Sequence, residues 1–168
     1  MYIVSAGVEE SRNCRFVVDA MLKNIVSWLR ILGYDTIYWG GGDKEVLSIA
    51  EAEGRIILTM DRSLAAIATR RGLRVLLFQE NDIPEILARI ARELDLSLSF
   101  DPIYTRCPVC NHPLKLEHKS GREEWMCPRC SKKYWRGSHW RNISRTLEEA
   151  RKRLQALRHD LQNFKYLR

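Results

Sequence analysis

Two C-x-x-C pairs constrain the fold of this chain more than any other feature. Cys107-Pro-Val-Cys110 and Cys127-Pro-Arg-Cys130 are separated by sixteen residues. Each pair makes a tight turn whose two sulfurs reach one ion, so the two turns together supply four ligands. Four thiolates suit tetrahedral zinc and leave no open position for water, which makes the site structural rather than catalytic. Iron in an all-sulfur site obeys the same ligand logic. The segment around the pairs, about residues 104–136, is too short to bury a core of its own, so metal binding must supply much of its folding free energy. The spacing therefore predicts a ribbon- or treble-clef-like zinc module held by Cys107, Cys110, Cys127 and Cys130. The fifth cysteine, Cys14, stands before an apolar run and reads as a small, half-buried residue. Cysteines in metal spacing rather than in a disulfide framework point to an intracellular, cytoplasmic protein.

The residues before this module repeat one pattern four times. Short apolar runs at 15–19 (RFVVD), 35–38 (DTIY), 55–59 (RIILT) and 74–78 (RVLLF) each lead into a stretch with helical spacing. The first helix carries Leu22, Ile25, Val26, Leu29 and Leu32 and stops at Gly33. The second opens near Asp43, carries Val46, Leu47, Ile49 and Ala50, and stops at Gly54. The third spans 62–71 and the fourth 83–94, with Pro84 in its first turn. Strands that are apolar throughout and alternate with helices predict an α/β domain, a mainly parallel sheet with helices on both faces. After Asp101-Pro102 the composition changes to aromatics, prolines, cysteines and basic residues. The expected division is therefore 1–102 for the α/β domain, 103–137 for the zinc ribbon and 138–168 for a basic C-terminal helix. Ile143, Leu147, Ala150, Leu154 and Leu157 give that helix a narrow apolar stripe, and Ser138 reads as its N-cap.

Charge divides along the same boundary. Residues 1–102 carry 12 Lys and Arg against 15 Asp and Glu, whereas residues 103–168 carry 16 against 6, giving +7 overall. An acidic half joined to a basic half is what a protein needs if one part handles cations and the other holds a polyanion. In the basic half Lys115, Arg129, Lys132, Lys133 and Arg136 are interleaved with Trp125, Tyr134, Trp135 and Trp140, and His139 lies beside them. Cations for phosphates and flat rings for unpaired bases together suit nucleic acid. A membrane is not an expected partner, because no apolar run approaches the roughly 18 residues a spanning helix needs, and the N-terminus has no leader pattern.

In the acidic half, Asp19 and Asp61 directly follow, or stand one residue beyond, apolar runs, and Asp43 and Asp82 precede helices. The carboxyl ends of parallel strands all meet one edge of the sheet, where ligands bind. Each aspartate alone is also a good helix N-cap. Together they repel one another unless a divalent cation neutralises them, and hard oxygen ligands suit Mg²⁺ or Mn²⁺. Phosphodiester hydrolysis uses such ions. The loop Gly40-Gly41-Gly42-Asp43 lacks the Gly-Lys-Ser/Thr of a nucleotide-binding loop, and neither G-x-G-x-x-G nor a nucleophile elbow is present.

Residues 15–34 (RFVVDAMLKNIVSWLRILGY), 54–64 (GRIILTMDRSL), the cysteine module and 134–140 (YWRGSHW) resemble the Mut-seven C-terminal RNase domain family, in order from about residue 15 to 145. The resemblance implies a three-layer PIN-like nuclease fold joined to a zinc ribbon, and a metal-dependent ribonuclease, an endonuclease by our expectation. It makes Asp19 the first-strand aspartate, Asp61 the aspartate of the T-x-D element and Asp43 the acid that opens the second helix, with Asp82 an added candidate. Lys23, Asn24 and Met60 depart from the family pattern at positions nearer substrate than metal. Expected cofactors are structural zinc and catalytic Mg²⁺ or Mn²⁺. The expected partner is RNA, of ribosomal or transfer type or on the ribosome, gripped by Lys115, Arg129, Lys132, Lys133, Trp135, Arg136, His139 and Trp140. The alternative is a non-catalytic RNA-binding or ribosome-associated protein on the same fold, with DNA as substrate ranked lower.

Overall fold

The four apolar runs become one parallel sheet of β1 (Arg15–Val18), β2 (Asp35–Tyr38), β3 (Ile56–Thr59) and β4 (Val75–Leu77), ordered β2-β1-β3-β4. The computed structural model describes residues 13–119 and 121–165; the expected units 1–102 and 138–168 extend past those limits. Alternation of side chains along each strand sorts the apolar residues onto two faces. Val17 and Ile57 pack against Val46, Leu47 and Ala50 of α2 (Asp43–Glu53) and Leu64 and Ala68 of α3 (Arg62–Arg70). Phe16, Val18, Ile56 and Leu58 face the opposite layer, built from α1 (Val26–Ile31), α4 (Ile83–Leu94) and α5 (Ser138–Lys165). Both faces are covered, as a sheet of continuous apolar strands requires.

The first helix differs from its expected form. It begins as a 3-10 helix, Ala20–Ile25, with Leu22 at φ −109°, ψ 20°, and becomes α-helical only at Val26. The cause is local: the Asp19 carboxylate captures the Met21 amide at 2.9 Å, which tightens the turn leaving β1. The second helix closes as its sequence indicates, on Gly54 at φ +63°, where a side chain would be strained.

The cysteine module is a ribbon of three antiparallel strands, β5 (Lys115–Lys119), β6 (Arg122–Met126) and β7 (Lys133–Trp135), with β6 central. A buried arginine fastens it to the α/β domain. The Arg30 guanidinium, at the end of α1, donates to Thr36 O at 2.8 Å and to the carbonyls of Pro108 and Val109 at 2.8 and 3.0 Å. Asn111 adds a second tie, accepting the Thr36 amide at 3.1 Å on the outer edge of β2 and donating to Asp35 Oδ1 at 2.8 Å. The ribbon thus caps an edge strand that would otherwise be open to unwanted pairing.

The apolar stripe of α5 lies on α4. Leu147, Ala150 and Leu154 are buried in the main core, with Ile143 and Leu157 packed at its margin. Arg153 joins the same two helices through Asp82, Glu85 at 3.2 Å and Glu149 at 3.1 Å. The helix starts at Ser138 itself, and the Trp140 amide bonds to Gly137 O at 3.0 Å. Gly137, not Ser138, therefore holds the capping position. No helix of the described residues is long and apolar enough to cross a membrane.

Candidate functional site

The strand order reverses between β1 and β3: the chain leaves β1 for β2 on one side, then crosses to β3 on the other. Such a switch point opens a crevice outside the carboxyl ends of the two strands, the usual ligand site of an open α/β sheet. Asp19 follows β1 there, and Thr59, Met60 and Asp61 end β3. The backbone holds this crevice firmly. The Asp19 amide bonds to Leu58 O at 3.2 Å, the Trp39 amide to Val18 O at 2.9 Å, and the Phe78 amide to Thr59 O at 2.8 Å.

Thr59 connects the two acids. Its hydroxyl donates to Asp19 Oδ2 and accepts the Asp61 amide at 2.9 Å. Asp19 is 8% exposed and Thr59 fully buried, so the carboxylate rests on a floor of donors, Met21 N–H and the Thr59 hydroxyl. Asp61 is half-buried and caps α3, its Oδ1 accepting from Ser63 N at 2.6 Å and Leu64 N at 3.0 Å. No described group donates to its Oδ2.

In spatial order β2, β1, β3 and β4 lead to Asp43, Asp19, Asp61 and Asp82, one acid per strand. Only the central pair shares a hydrogen-bond partner, Thr59. Asp43 is exposed in the first turn of α2, whose preceding Gly42 amide bonds instead to Glu45 Oε2 at 2.6 Å. Asp82 caps α4 by accepting the Glu85 amide at 3.2 Å and is engaged by Arg153. Among the described residues no three carboxylates place ligand oxygens within 4.8 Å of one another. A nearly buried carboxylate, Asp19, and a half-buried one, Asp61, on the same sheet edge still suit Mg²⁺, which binds through one or two carboxylates and keeps waters and substrate phosphate as its other ligands. The residues present fit the ion on that ground.

The four cysteines do converge, with all sulfurs within 4.8 Å. Cys107 and Cys130 sulfurs lie 3.6 Å apart, and those of Cys110 and Cys127 lie 3.4 Å apart. Those separations are far beyond a disulfide bond and close to the roughly 3.8 Å edge of a tetrahedron with 2.3 Å zinc–sulfur bonds. The two turns are copies of one another. Asn111 N bonds to Cys107 O and Ser131 N to Cys127 O, each at 2.9 Å, with Asn111 at φ +67° and Ser131 at φ +58°. The cluster fits a structural zinc site. Tyr134 has a role there that sequence reasoning missed: its hydroxyl lies 3.1 Å from Cys107 Sγ. Burial pushes the Cys107 thiol up, but hydrogen bonds from Tyr134 and the Cys110 and Val109 amides outweigh it and bring the thiol down to about 6.

The basic and aromatic residues divide by burial. Trp125 is 3% exposed and its indole donates to Pro102 O at 2.9 Å, so it packs the ribbon onto the linker. Phe100 meets Trp125 and Trp140 edge to face, and the Arg136 guanidinium lies over all three rings while pairing with Glu123 at 3.1 Å. Arg136 is thereby committed to the ribbon. Lys115, Arg129, Lys132, Lys133 and His139 are exposed, and Trp135 is 64% exposed.

A model of the Mut7-C RNAse domain matches residues 14–147, from the residue before β1 through the ribbon and into α5. The chain belongs to the Mut7-C RNase domain family. Family membership brings a nuclease-like, RNA-related function to the chain. No curated protein and no solved structure matches the chain. The Mut7-C match stops at Leu147, but α5 continues to Lys165, and Ala150 and Leu154 beyond that point remain part of the core.

Proposed function

We propose that this Mut7-C chain is a metal-dependent ribonuclease that cleaves RNA internally at the crevice between β1 and β3. The observation that carries the reading is the Asp19–Thr59–Asp61 unit, in which one buried hydroxyl ties the Asp19 carboxylate to the backbone amide of Asp61 at the switch point of a parallel sheet. Asp19 and Asp61 would hold Mg²⁺ or Mn²⁺, with Asp43 and Asp82 as further acids on the same edge of the sheet. When bound, such an ion supplies a water activated at neutral pH and stabilises charge on the leaving oxygen. The chain's own contribution is to fix the acids. The Thr59 hydroxyl and Met21 amide orient Asp19, and the Ser63 and Leu64 amides at the start of α3 orient Asp61. The basic ribbon and α5 hold the RNA through Lys115, Arg129, Lys132, Lys133, Trp135, His139 and Trp140, in a cytoplasmic setting where ribosomal and transfer RNAs are the abundant candidates.

The test is cleavage of a mixed RNA pool with Mn²⁺ by the wild type, Asp19→Asn and Asp61→Asn. Loss of cleavage in both variants, with zinc content unchanged, is expected, and equal activity in all three rejects the assignment. A second reading, a non-catalytic RNA-binding protein on the same fold, draws support from the exposed, uncongregated position of Asp43. It predicts full RNA binding by both variants and no cleavage with any metal.

A further inference from the structure

Two clefts flank α1, and both are free of carboxylates in a chain with 21 acidic residues. The first, about 330 Å³, lies between the ribbon and the start of α5; Trp135, Trp140 and Phe100 line it together with Arg106, Lys133 and His139. The second, about 500 Å³, lies between α1, the end of β2 and the first cysteine turn, lined by Lys23, Ser27, Arg30 and Tyr38. Pro108 is a wall of both. Arg30 and Arg106 are committed to carbonyl oxygens, which leaves Lys23 in one cleft and Lys133 in the other to face a ligand. Cations without acids select a polyanion, and flat rings beside them select a form of it whose bases are unstacked.

The ends of this pair of clefts differ in chemistry. Lys23 lies in the 3-10 helix that starts directly after Asp19, and its ammonium is held 5.2 Å from the centre of the Tyr38 ring at the carboxyl end of β2. Ile31, at the opposite end of α1, lines the aromatic cleft. The helical rise from Lys23 to Ile31 is about 14 Å. About five nucleotides, four steps at the roughly 3.4 Å spacing of one duplex strand, span that distance, and fewer do if the strand is stretched. Trp135 stands on the edge strand of the ribbon with most of its indole exposed. Its ring lies against Gly137, where an added Cβ would come within 3.0 Å of the indole nitrogen. The ring is thus seated but uncovered, as a stacking platform must be.

We propose that the two clefts form one track for single-stranded RNA, in which an unpaired base stacks on Trp135 while the strand crosses Pro108 and passes Lys23 and Tyr38 on its way to Asp19. Its end point rests on the ribonuclease reading; its affinity does not. A duplex keeps its bases inside and cannot use the aromatic end, so the track makes the chain selective for RNA with at least a few unpaired nucleotides beside the cut.

The test is fluorescence anisotropy with the full zinc-loaded chain, without Mg²⁺ or Mn²⁺, using an end-labelled twelve-nucleotide oligouridylate and a labelled RNA duplex of the same length. Wild type should bind the single strand about tenfold or more tighter than the duplex. Trp135→Ala should weaken single-strand binding about tenfold, the loss expected for one stacked base, and Trp135→Phe should restore most of it. Lys23→Gln should lower the slope of log affinity against log salt by about 0.7. Zinc content and circular dichroism check that each variant is folded. Equal binding of both RNA forms, no binding of either, or wild-type affinity in Trp135→Ala overturns the track. Trp135-dependent binding without cleavage in Mn²⁺ would retain the track and remove the nuclease, whereas cleavage with Trp135-independent binding would do the reverse.

Discussion

Asp19 and Asp61 are joined through one side chain: the Thr59 hydroxyl donates to Asp19 and accepts the Asp61 amide at 2.9 Å. Asp19 lies in a crevice between strands, and Asp61 begins a helix, so neither is adjacent to the other in the chain. The hydroxyl sets their relation, and Thr59 is fully buried. Thr59→Val keeps the shape and removes the donor. It should leave an Asp19 oxygen unsatisfied at a cost of about 1–3 kcal/mol and lower the melting temperature by about 5 °C. Cleavage should fall about tenfold or more, with a higher Mn²⁺ concentration needed for half activity, as for other groups that orient metal ligands. Thr59→Ser should behave as wild type. A Thr59→Val enzyme with unchanged Mn²⁺ dependence would show that the bridge only supports the fold.

The zinc site is expected to be a local folding device. Its turns hold amides that no other element protects, Asn111 N on Cys107 O and Ser131 N on Cys127 O. Cys110→Ser or treatment with a strong chelator should release about one zinc per chain and raise hydrogen exchange at those amides by orders of magnitude. Amides of β1 and β3, buried in a separate core, should keep their protection. Uniform loss of protection throughout the chain would show one cooperative unit instead.

Much of this is legible in the sequence, and the reasons are physical. Strands such as RIILT are apolar throughout because helices cover both faces, and Asp19 and Asp61 stand where such strands stop. The cysteine spacing alone implied the four-sulfur cluster, since two C-x-x-C pairs sixteen residues apart have the ligand spacing of one zinc ion. What stayed hidden depends on contacts between distant segments. Arg30 reads as one more polar residue on an amphipathic helix, yet it is 8% exposed and fastens Pro108 and Val109. Tyr134 reads as an aromatic of the RNA surface, yet its hydroxyl faces a cysteine sulfur. For Thr59 a signal was present, the threonine of T-x-D at a strand end, but spacing does not tell which acid its hydroxyl meets. Asp82 satisfied the same positional rule as Asp43, a place just before a helix, and only the fold brings Arg153 to it.

The C-terminal helix should contribute to the stability of the main core. Leu147 is 2% exposed between α5 and α4. Leu147→Ala should cost about 3 kcal/mol through lost burial and the cavity left behind, lowering the melting temperature by roughly 6–12 °C for a chain of this size. Zinc content should not change, because the cysteine cluster lies in a separate core around Trp125 and Leu114. A melting temperature within a degree of wild type would mean that α5 is dispensable to the core.

Acid should loosen the link between sheet and ribbon through Asp35. Burial pushes its carboxyl up, but hydrogen bonds from Arg55 at 2.8 Å and Asn111 at 2.8 Å, with the charges of Arg55 and Arg106, more than reverse this and hold it below its ordinary value. A carboxylate with a depressed folded-state pKa adds stability that is fully present above the unfolded value, near 3.9, and is lost as pH falls through the lower folded value. Asp35→Asn should therefore melt below wild type by a constant margin from about pH 6 down to about pH 4, and the margin should shrink at lower pH as the wild-type carboxyl takes up its proton. The measurement is the melting temperature of both proteins across that range. A margin that persists undiminished at pH 2.5 would mean that Asp35 acts through shape and neutral hydrogen bonds, not through its charge.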